Sequence, residues 1–557
     1  MLIIINILND NFQDQSVMAT CFTAFEETAF KFTENAFLHI PALAAKAYHE
    51  GAVDYQYGQT LAEVKGLRCI YQEAGYGCGT RVAVMLDNRA EFFLHFFALN
   101  ALGASIVPVH PELTPEEQSY LIAHSEVDFL LTLEDFQDRC AAVCQSIVPS
   151  VPVVLHSQMD LLPQNTKPLS SAVPGEETEA AILYTSGTTG KPKGCILTNA
   201  YFLAWGQWYL DLGGMATLRP GEERLITPLP LNHQNAMACS LMGMVMSGGC
   251  VIQLDRFHSS TWWDTVRSSE ATILHYLGVM PAMLLNKPKT DADDFSQQIK
   301  FGLGAGVDPK HHANFEKQFG FPLLEGWAMT ETGSTVCLMT VDEPRFVGER
   351  CLGKATKTMD YRLVDEKGQD VPAGMPGELL VRTRGEEPRN YFFREYLKNE
   401  AATEEAWQGD YFHTGDVVRV TEDGYFHFVD RRKNVIRRSG ENIAAIEVEA
   451  ALLPHEQVAA CAVTAVDDEF RGEEVLVLIQ LTDAGAGTRD LAVEIQNYCL
   501  DRLVYYKAPG HVIFVETLPV GSTQKVKRGE IKVLRDQVFG SPSHYDLTAL
   551  KKPRKGN

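Results

Sequence analysis

Residues 183–194 read LYTSGTTGKPKG, a loop rich in glycine and hydroxyl side chains that ends in two lysines. The loop directly follows AAILY, a short apolar run that is typical of a buried strand. Glycines let backbone N–H groups approach an anion, hydroxyls add donors and lysines add charge, so this composition predicts a phosphate-binding loop rather than a flexible surface turn. The residues concerned are Thr185, Ser186, Gly187, Thr188, Thr189, Gly190, Lys191 and Lys193.

Strand and helix patterns alternate on the N-terminal side of this loop. Between residues 81 and 131 the chain passes through RVAVML, an apolar helical stretch over 90–102, SIVPV, a second helix and VDFLL. This alternation predicts a parallel sheet with helices on its faces. The second helix has clear start signals, because Thr114 can cap it, Pro115 suits the first helical position and Glu117 completes a capping box.

The pattern changes on the C-terminal side of the loop. From residue 360 onward, the short strands YRLVD, GELLVR and GYFHFVD are separated by Gly and Pro, which predicts a small β-rich subdomain. The basic segment RRKNVIRRSGEN follows, then a helix over 446–453 and the strands VAACAV and VLVLIQ. We expect an α/β protein with a large N-terminal domain over 1–432, built of parallel sheets with helices plus the β-rich subdomain, and a small α+β C-terminal domain over 433–557.

Composition excludes several functional classes. The chain has 557 residues, of which 45% are hydrophobic, so it is long enough for at least two domains. The formal net charge of -23 argues against a general nucleic-acid binder and against attraction to anionic membranes. The 12 cysteines include no CxxC pair, which indicates neither a disulfide framework nor a zinc site. The apolar start, MLIIINIL, is too short to span a bilayer, and we expect a cytoplasmic protein without a membrane span.

Four further motifs follow the glycine-rich loop. They are GWAMTETG at 326–333, YFHTGD at 411–416, RRSGEN at 437–442 and PVGSTQKVKR at 519–528. In this order, the five motifs resemble those of the adenylate-forming superfamily, which includes acyl-CoA synthetases, adenylation domains and firefly luciferase. The resemblance covers nearly the whole chain and is nearest to short- and medium-chain acyl-CoA ligases of the crotonobetaine/carnitine-CoA ligase group.

The resemblance implies a nucleotide site that several segments share. Trp327 is implied to stack near adenine and Thr330 to contact phosphate, while Glu331 is implied to bind magnesium, a hard cation that prefers carboxylates. Asp416 is implied to accept hydrogen bonds from both ribose hydroxyls, and Arg431 to help hold the nucleotide. The other residues implied to bind the nucleotide or line its site are Gly304, Ala305, Gly306, Gly326, Ala328, Met329 and Phe428.

The same resemblance implies that the small C-terminal domain is mobile and takes up two positions. Lys433 is implied to lie at the hinge, and Lys525 to be the lysine that stabilises charge on the α-phosphate during adenylation. Arg437 and Gly440 are implied to line the tunnel for the pantetheine arm. His233, in the segment LPLNHQNA, stands where the family has an aromatic residue or a histidine beside the acyl group, and a structural, hydrogen-bonded role for it is equally open.

As a whole, the resemblance implies an enzyme that uses ATP and Mg²⁺ to convert a carboxylic acid to an acyl-adenylate and then transfers the acyl group to coenzyme A. Two alternatives stay open, namely a stand-alone adenylation enzyme that loads a carrier protein and, from another class, a non-catalytic nucleotide- or acyl-binding regulator. The residues that favour catalysis are all present, namely Glu331, Asp416, Arg431 and Lys525. Homodimers are common in the family, and the oligomeric state and the acid stay open.

The chain departs from the family pattern at several positions. Trp327 replaces the commoner tyrosine, Gln524 replaces a glycine before the lysine, and GAGVDP follows Leu303 in place of a GGAPL-like stretch. A further question is raised by four tryptophans, which could form a cage for a quaternary ammonium group, although core packing is the simpler use of most of them. These are Trp205, Trp208, Trp262 and Trp263.

Overall fold

The computed structural model describes residues 20–185, 192–287, 290, 293–431, 434–438, 441–468, 471–483, 487–503, 505–520 and 526–551. The α-helices are α1 (Cys21–Lys31), α2 (Ala42–Ala45), α3 (Tyr57–Glu73), α4 (Ala90–Asn100), α5 (Pro115–Ser125), α6 (Gln137–Gln145), α7 (Asn199–Asp211), α8 (Leu241–Ser247), α9 (Trp262–Ser268), α10 (Val279–Leu285), α11 (Pro309–Phe319), α12 (Glu400–Ala406), α13 (Ala445–Leu452), α14 (Arg489–Leu500) and α15 (Arg528–Val538).

The strands of the first 345 residues are β1 (Ala36–Ile40), β2 (Val53–Gln56), β3 (Arg81–Met85), β4 (Ser105–Pro108), β5 (Phe129–Thr132), β6 (Val153–Leu155), β7 (Glu179–Thr185), β8 (Lys193–Thr198), β9 (Arg224–Thr227), β10 (Cys250–Gln253), β11 (Ile273–Leu277), β12 (Phe301–Ala305), β13 (Leu323–Trp327) and β14 (Leu338–Met339). The later strands are β15 (Cys351–Lys354), β16 (Met359–Val364), β17 (Pro376–Thr383), β18 (Trp407–Gln408), β19 (Tyr411–Val420), β20 (Tyr425–Arg431), β21 (Val435–Arg438), β22 (Glu441–Ala444), β23 (Val458–Asp468), β24 (Gly472–Leu481), β25 (His511–Val515) and β26 (His544–Asp546).

Two largely parallel sheets form the N-terminal part of the molecule. The first sheet has the order β14-β13-β12-β11-β9-β10-β1-β2 and the second has the order β6-β5-β3-β4-β7-β8. Antiparallel pairing occurs at the edge strands β14, β2 and β8. The predicted alternation of strand and helix is confirmed, and α5 starts with the predicted capping box between Thr114 and Glu117.

The carboxyl ends of parallel strands share one edge of a sheet, which is where ligand sites of such folds form. Strand β7 extends to Thr185, the third residue of the glycine-rich segment 183–194, while β12 ends at Ala305 and β13 ends at Trp327. The register of β12 on β13 places Gly304 opposite Glu325. The segments GAGVDP and GWAMTETG therefore leave neighbouring strands side by side.

The third and fourth sheets follow in the chain. The third sheet is antiparallel, with the order β15-β20-β19-β17-β16 and β18 paired to β19, as the short strands after residue 360 predict. It places Asp416 on β19 opposite Arg431 on β20. The fourth sheet has the order β22-β21-β24-β25-β26, with β23 paired to β24, and helices α13, α14 and α15 belong to the same C-terminal part.

The N-terminal and C-terminal parts of the chain have separate apolar cores. The main core contains residues from the first three sheets and from helices α1, α4, α7 and α8, and it reaches Trp327. The C-terminal part has its own core, which extends from Ile436 to Leu547, as expected of a separate domain. The predicted boundary at 432–433 lies outside the described residues, so it stays a prediction. Among the helices that the structure describes, none combines the length and apolarity needed to cross a membrane.

Candidate active site

Glu331 is the buried carboxylate at the centre of the candidate site, with 7% of its surface exposed. It lies in the loop after β13. Its Oε1 accepts a hydrogen bond from the Tyr396 hydroxyl at 2.9 Å and a longer one from Thr185 Oγ1 at 3.4 Å. The Glu331 carbonyl also accepts from the Phe393 N–H at 2.9 Å. Glu331 therefore joins the carboxyl end of β7 to the segment 393–396.

Tyr396 is a residue of this site that the sequence did not indicate. Its segment runs along β8, since the Arg394 N–H donates to the Ile196 carbonyl at 2.8 Å and the Leu397 N–H to the Gly194 carbonyl at 2.8 Å. Lys193 Nζ lies 4.7 Å from the centroid of the Tyr396 ring. Burial and the neighbouring Glu331 raise the pKa of Tyr396, so its hydroxyl stays a donor at neutral pH.

A magnesium ion fits the donor set around Glu331. Mg²⁺ keeps several waters and takes one or two carboxylates together with substrate phosphates. Glu331 offers such a carboxylate, and the hydroxyls of Thr185 and Tyr396 orient one of its oxygens. In the described part of the chain, no cluster of three or more His, Cys, Asp or Glu side chains could hold a metal by itself. A cation at Glu331 would therefore take most of its ligands from the substrate and from water.

Asp416 is the second buried carboxylate of the site, with 1% of its surface exposed. Its Oδ2 accepts a hydrogen bond from the Trp327 indole N–H at 2.8 Å. Its Oδ1 lies 2.6 Å from Arg431 Nε as an ion pair, although no described group donates to this oxygen with normal hydrogen-bond geometry. Burial raises the pKa of Asp416, while Arg431 and Trp327 oppose the rise.

A carboxylate of β13 holds the loop that follows β12. The Gly306 N–H donates to Glu325 Oε1 at 3.2 Å, so this carboxylate holds the loop after β12. Burial raises the pKa of Glu325, and Arg350 opposes the rise. The sequence analysis missed Glu325, although a charged residue within the apolar run LLEGW could have drawn attention to it.

The other described candidate residues have varied surroundings. The turn that contains Thr330 is closed by a hydrogen bond of 3.2 Å between the Thr332 N–H and the Met329 carbonyl. Ala328 and Met329 are partly buried against the main core. Phe428 is half-buried, with the Arg350 guanidinium 4.5 Å from its ring centroid. His233 is exposed, and its backbone N–H donates to the Pro230 carbonyl at 3.0 Å.

Several candidate residues lie outside the described residues, and their roles stay predictions. They are Ser186, Gly187, Thr188, Thr189, Gly190, Lys191, Lys433, Gly440 and Lys525. The backbone of Arg437 on β21 pairs with that of Asn442 on β22, whereas the Arg437 side chain lies outside the described part of the structure. The predicted phosphate loop is thus represented here by its two flanks, Thr185 and Lys193.

The four tryptophans do not come together as one cage. Trp262 and Trp263 belong to a core on the first sheet, where Trp263 stacks on Phe295 with ring centroids 4.4 Å apart. Trp205 and Trp208 lie on α7 and contact each other edge to face at 5.1 Å. This arrangement favours core packing for Trp262 and Trp263 and leaves at most a pair of rings on α7.

A large cleft of ≈ 3400 Å³ reaches Ser334 and Arg394 near the candidate site, but its lining includes neither Glu331 nor Asp416. Its lining includes Thr80, Ser105 and Glu179, which mark the amino ends of β3, β4 and β7. The glycine-rich loop leaves the opposite, carboxyl end of β7. The buried carboxylates and their partners therefore identify the candidate site better than cavity size does.

Comparisons with known proteins show the family to which the chain belongs. The sequence model of the AMP-binding enzyme family matches residues 33–392, and that of the AMP-binding enzyme C-terminal domain matches residues 447–525. The first match alone covers more than half of the chain. The chain belongs to the AMP-binding enzyme family.

Individual relatives are similar over most of their length. Crotonobetaine/carnitine–CoA ligase of Salmonella enteritidis PT4 is 27% identical in an alignment 511 residues long that covers 87% of this chain and 94% of that enzyme. Among solved structures, o-succinylbenzoate CoA synthetase (MenE) of Bacillus subtilis in complex with its acyl-adenylate has a TM-score of 0.77 at 24% identity, covering 91% of this chain and 97% of that one. ATP-bound MatB of Rhodopseudomonas palustris has a TM-score of 0.76 at 22% identity, with coverages of 93% and 99%. These structures share the α/β fold described above.

Proposed function

We propose that this protein is an AMP-forming acid–CoA ligase. It converts a carboxylic acid and ATP to an acyl-adenylate and pyrophosphate, and then the acyl-adenylate and coenzyme A to an acyl-CoA and AMP. The observation that carries the proposal is the pair of buried carboxylates, Glu331 beside the phosphate loop and Asp416 between Trp327 and Arg431. The CoA ligases among the relatives support it, as does the structure of o-succinylbenzoate CoA synthetase with ATP and magnesium.

In this proposal, the two carboxylates act on different parts of the nucleotide. Asp416 accepts hydrogen bonds from the ribose hydroxyls, and Arg431 adds positive charge beside it. Glu331 would hold Mg²⁺, which supplies charge neutralisation at the phosphates when it is bound. Thr185 beside Glu331 and Lys193 beside Tyr396 add polar groups at the two flanks of the phosphate loop, and in this proposal Thr330, in the turn after β13, contacts a phosphate.

The C-terminal part provides the groups for the two half-reactions in this proposal. Lys525 approaches the α-phosphate during adenylation, and Arg437 and Gly440 line the path of the pantetheine arm after the domain turns about Lys433. The separate core of this part supports such a movement, because a unit with its own core can turn as a body. His233 lies beside the acyl group in the same scheme. The 12 cysteines are free thiols, which supports a cytoplasmic location.

A pyrophosphate-release screen over a panel of carboxylic acids tests the proposal, run with and without coenzyme A and with and without Mg²⁺. We expect release only when ATP, Mg²⁺ and a suitable acid are all present, and an acyl-CoA product by mass spectrometry when coenzyme A is added. ATP binding without turnover of any acid would favour the non-catalytic regulator. Acyl transfer to a carrier protein but never to free coenzyme A would favour the carrier-loading enzyme.

A further inference from the structure

The Trp327 indole has a specific polar contact within a nearly closed environment. Trp327 as a whole residue is 6% exposed, and its indole N–H donates to Asp416 Oδ2 at 2.8 Å. The other carboxylate oxygen of Asp416 lies 2.6 Å from Arg431 Nε. Each oxygen thus has one protein group beside it, and the two groups come from different sheets, since Trp327 ends β13 and Arg431 ends β20. Together they fix the plane of the carboxylate.

With these two neighbours in place, the Asp416 carboxylate can still accept further hydrogen bonds. An ionised carboxylate has about four lone-pair positions, two on each oxygen. The indole N–H occupies one position on Oδ2, and the Arg431 guanidinium lies against Oδ1. Oδ2 therefore keeps one lone-pair position, and Oδ1, to which no described group donates with normal hydrogen-bond geometry, keeps its own, so each oxygen has at least one position in the plane of the carboxylate. Hydroxyls on adjacent carbons can occupy such a pair at the same time, one on each oxygen.

We infer that Trp327 is a positioning residue that orients Asp416 through its indole N–H and thereby sets selectivity for a nucleotide with both the 2′- and the 3′-hydroxyl. The inference rests on the proposed function, because it assumes that Asp416 receives the ribose. A phenylalanine at this position would keep an aromatic ring next to the nucleotide but would donate no hydrogen bond. The N–H and the ring can therefore be tested separately.

The test compares ATP, 2′-deoxyATP and 3′-deoxyATP as substrates of the wild type and of Trp327→Phe, with pyrophosphate release as the readout. We expect the substitution to lower kcat/KM for ATP about tenfold, mainly through KM, because it removes one hydrogen bond to a charged group. The loss should be much smaller for the two deoxynucleotides, which cannot use both oxygens. The preference for ATP should therefore shrink.

Trp407→Phe is the matched control. Trp407 is also a buried indole on the third sheet, but its Nε1 has no hydrogen-bond partner among the described atoms. The control should keep the wild-type preference among the three nucleotides. A double-mutant cycle adds a second criterion, because Trp327→Phe should have little further effect once Asp416→Ala has removed the carboxylate.

The inference would be overturned if Trp327→Phe lowered kcat/KM equally for all three nucleotides. It would also be overturned if Trp327→Phe lowered kcat/KM for ATP as much in the Asp416→Ala background as in the wild type. Either result would leave Trp327 as a packing residue. If Trp327→Phe does not fold, benzothienylalanine at position 327 keeps the ring shape and removes only the N–H, and the same comparison applies. If the wild type turns over no acid, the proposed function fails separately. Calorimetric binding of ATP against 2′-deoxyATP then still decides the inference.

Discussion

The carboxylate of Glu331 depends on a hydroxyl that is distant in the chain. Tyr396 lies 65 positions away, yet its hydroxyl donates to Glu331 Oε1 at 2.9 Å. A carboxylate that binds a cation must present its free lone pairs in a fixed direction, and groups that orient such a ligand contribute to metal affinity. Tyr396 is buried, so the hydrogen bond does not compete with bulk water.

Tyr396→Phe should therefore weaken the use of Mg²⁺ while leaving the fold intact. We expect the Mg²⁺ concentration for half-maximal pyrophosphate release to rise about tenfold, which is the lower end of the effect of removing a group that orients a metal ligand. Tyr361→Phe is the control, because Tyr361 lies on the outer strand β16 and is 38% exposed. An unchanged Mg²⁺ dependence in Tyr396→Phe would mean that Glu331 needs no such support.

At the residue scale, the motifs singled out residues that the structure brings into contact, but they did not indicate which residues pair with which. Thr185, Glu331, Trp327 and Asp416 were all singled out from the sequence, and the structure places them in two contacting pairs. Tyr396 and Glu325 were missed because side-chain pairing across a fold leaves no local pattern. The contact between the indole of Trp327 and Asp416 was also not foreseen, since the resemblance implied an adenine contact for this ring. The roles themselves stay proposals.

At the scale of elements, the periodicity of the sequence predicts the strands and helices, but it does not predict the order of the strands in a sheet. The alternating apolar segments between residues 81 and 131 predict β3, α4, β4, α5 and β5 because buried strands and amphipathic helices have distinct repeats. The order β5-β3-β4-β7 and the pairing of the segment 394–397 with β8 depend on contacts between distant residues. No short window of sequence contains that information.

Two glycines on neighbouring strands offer a matched test of how closely the site's strands approach. A Cβ on Gly304 of β12 would lie 2.3 Å from the Tyr276 carbonyl oxygen of β11, whereas a Cβ on Gly326 of β13 would have no neighbour nearer than 3.7 Å. Gly304→Ala should therefore destabilise the protein by about 1–3 kcal/mol, as overpacking does, and raise KM for ATP. Gly326→Ala should stay within about 0.5 kcal/mol of the wild type. Equal denaturant midpoints for the two variants would contradict the close approach.

At the scale of the whole molecule, a buried charge cluster ties the C-terminal end to the start of the fourth sheet. Glu474 on β24 contacts Lys551 Nζ through Oε1 and Arg438 Nε through Oε2, the latter at 2.7 Å. The side chains of Glu474 and Lys551 are fully buried, and that of Arg438 nearly so. Lys551 begins KKPRK, a basic run at 551–555, and this first lysine is a structural residue rather than a solvated one.

The cluster has two cations for one carboxylate, so its members should respond differently to substitution. Glu474→Gln leaves two buried cations without a counter-charge and should destabilise the C-terminal part by about 3–5 kcal/mol. Lys551→Met should cost much less, because Arg438 still pairs with Glu474. Urea unfolding of both variants at pH 7 measures the difference. Equal losses would mean that Lys551 is as necessary to the cluster as Glu474.

The pH dependence of the same cluster follows from the lysine. Burial is the main cause that lowers the pKa of Lys551 from 10.5 to about 8. Between these values the unfolded chain holds the proton and the folded protein has lost it, so the unfolded state binds more protons and the stability contributed by this group rises with pH from about 8 to 10.5. Below pH 8 both states are protonated and the cost of burying the charge is constant. Lys551→Met should therefore flatten the stability profile between pH 8 and 10, and a variant that kept the wild-type slope would assign that slope to other groups.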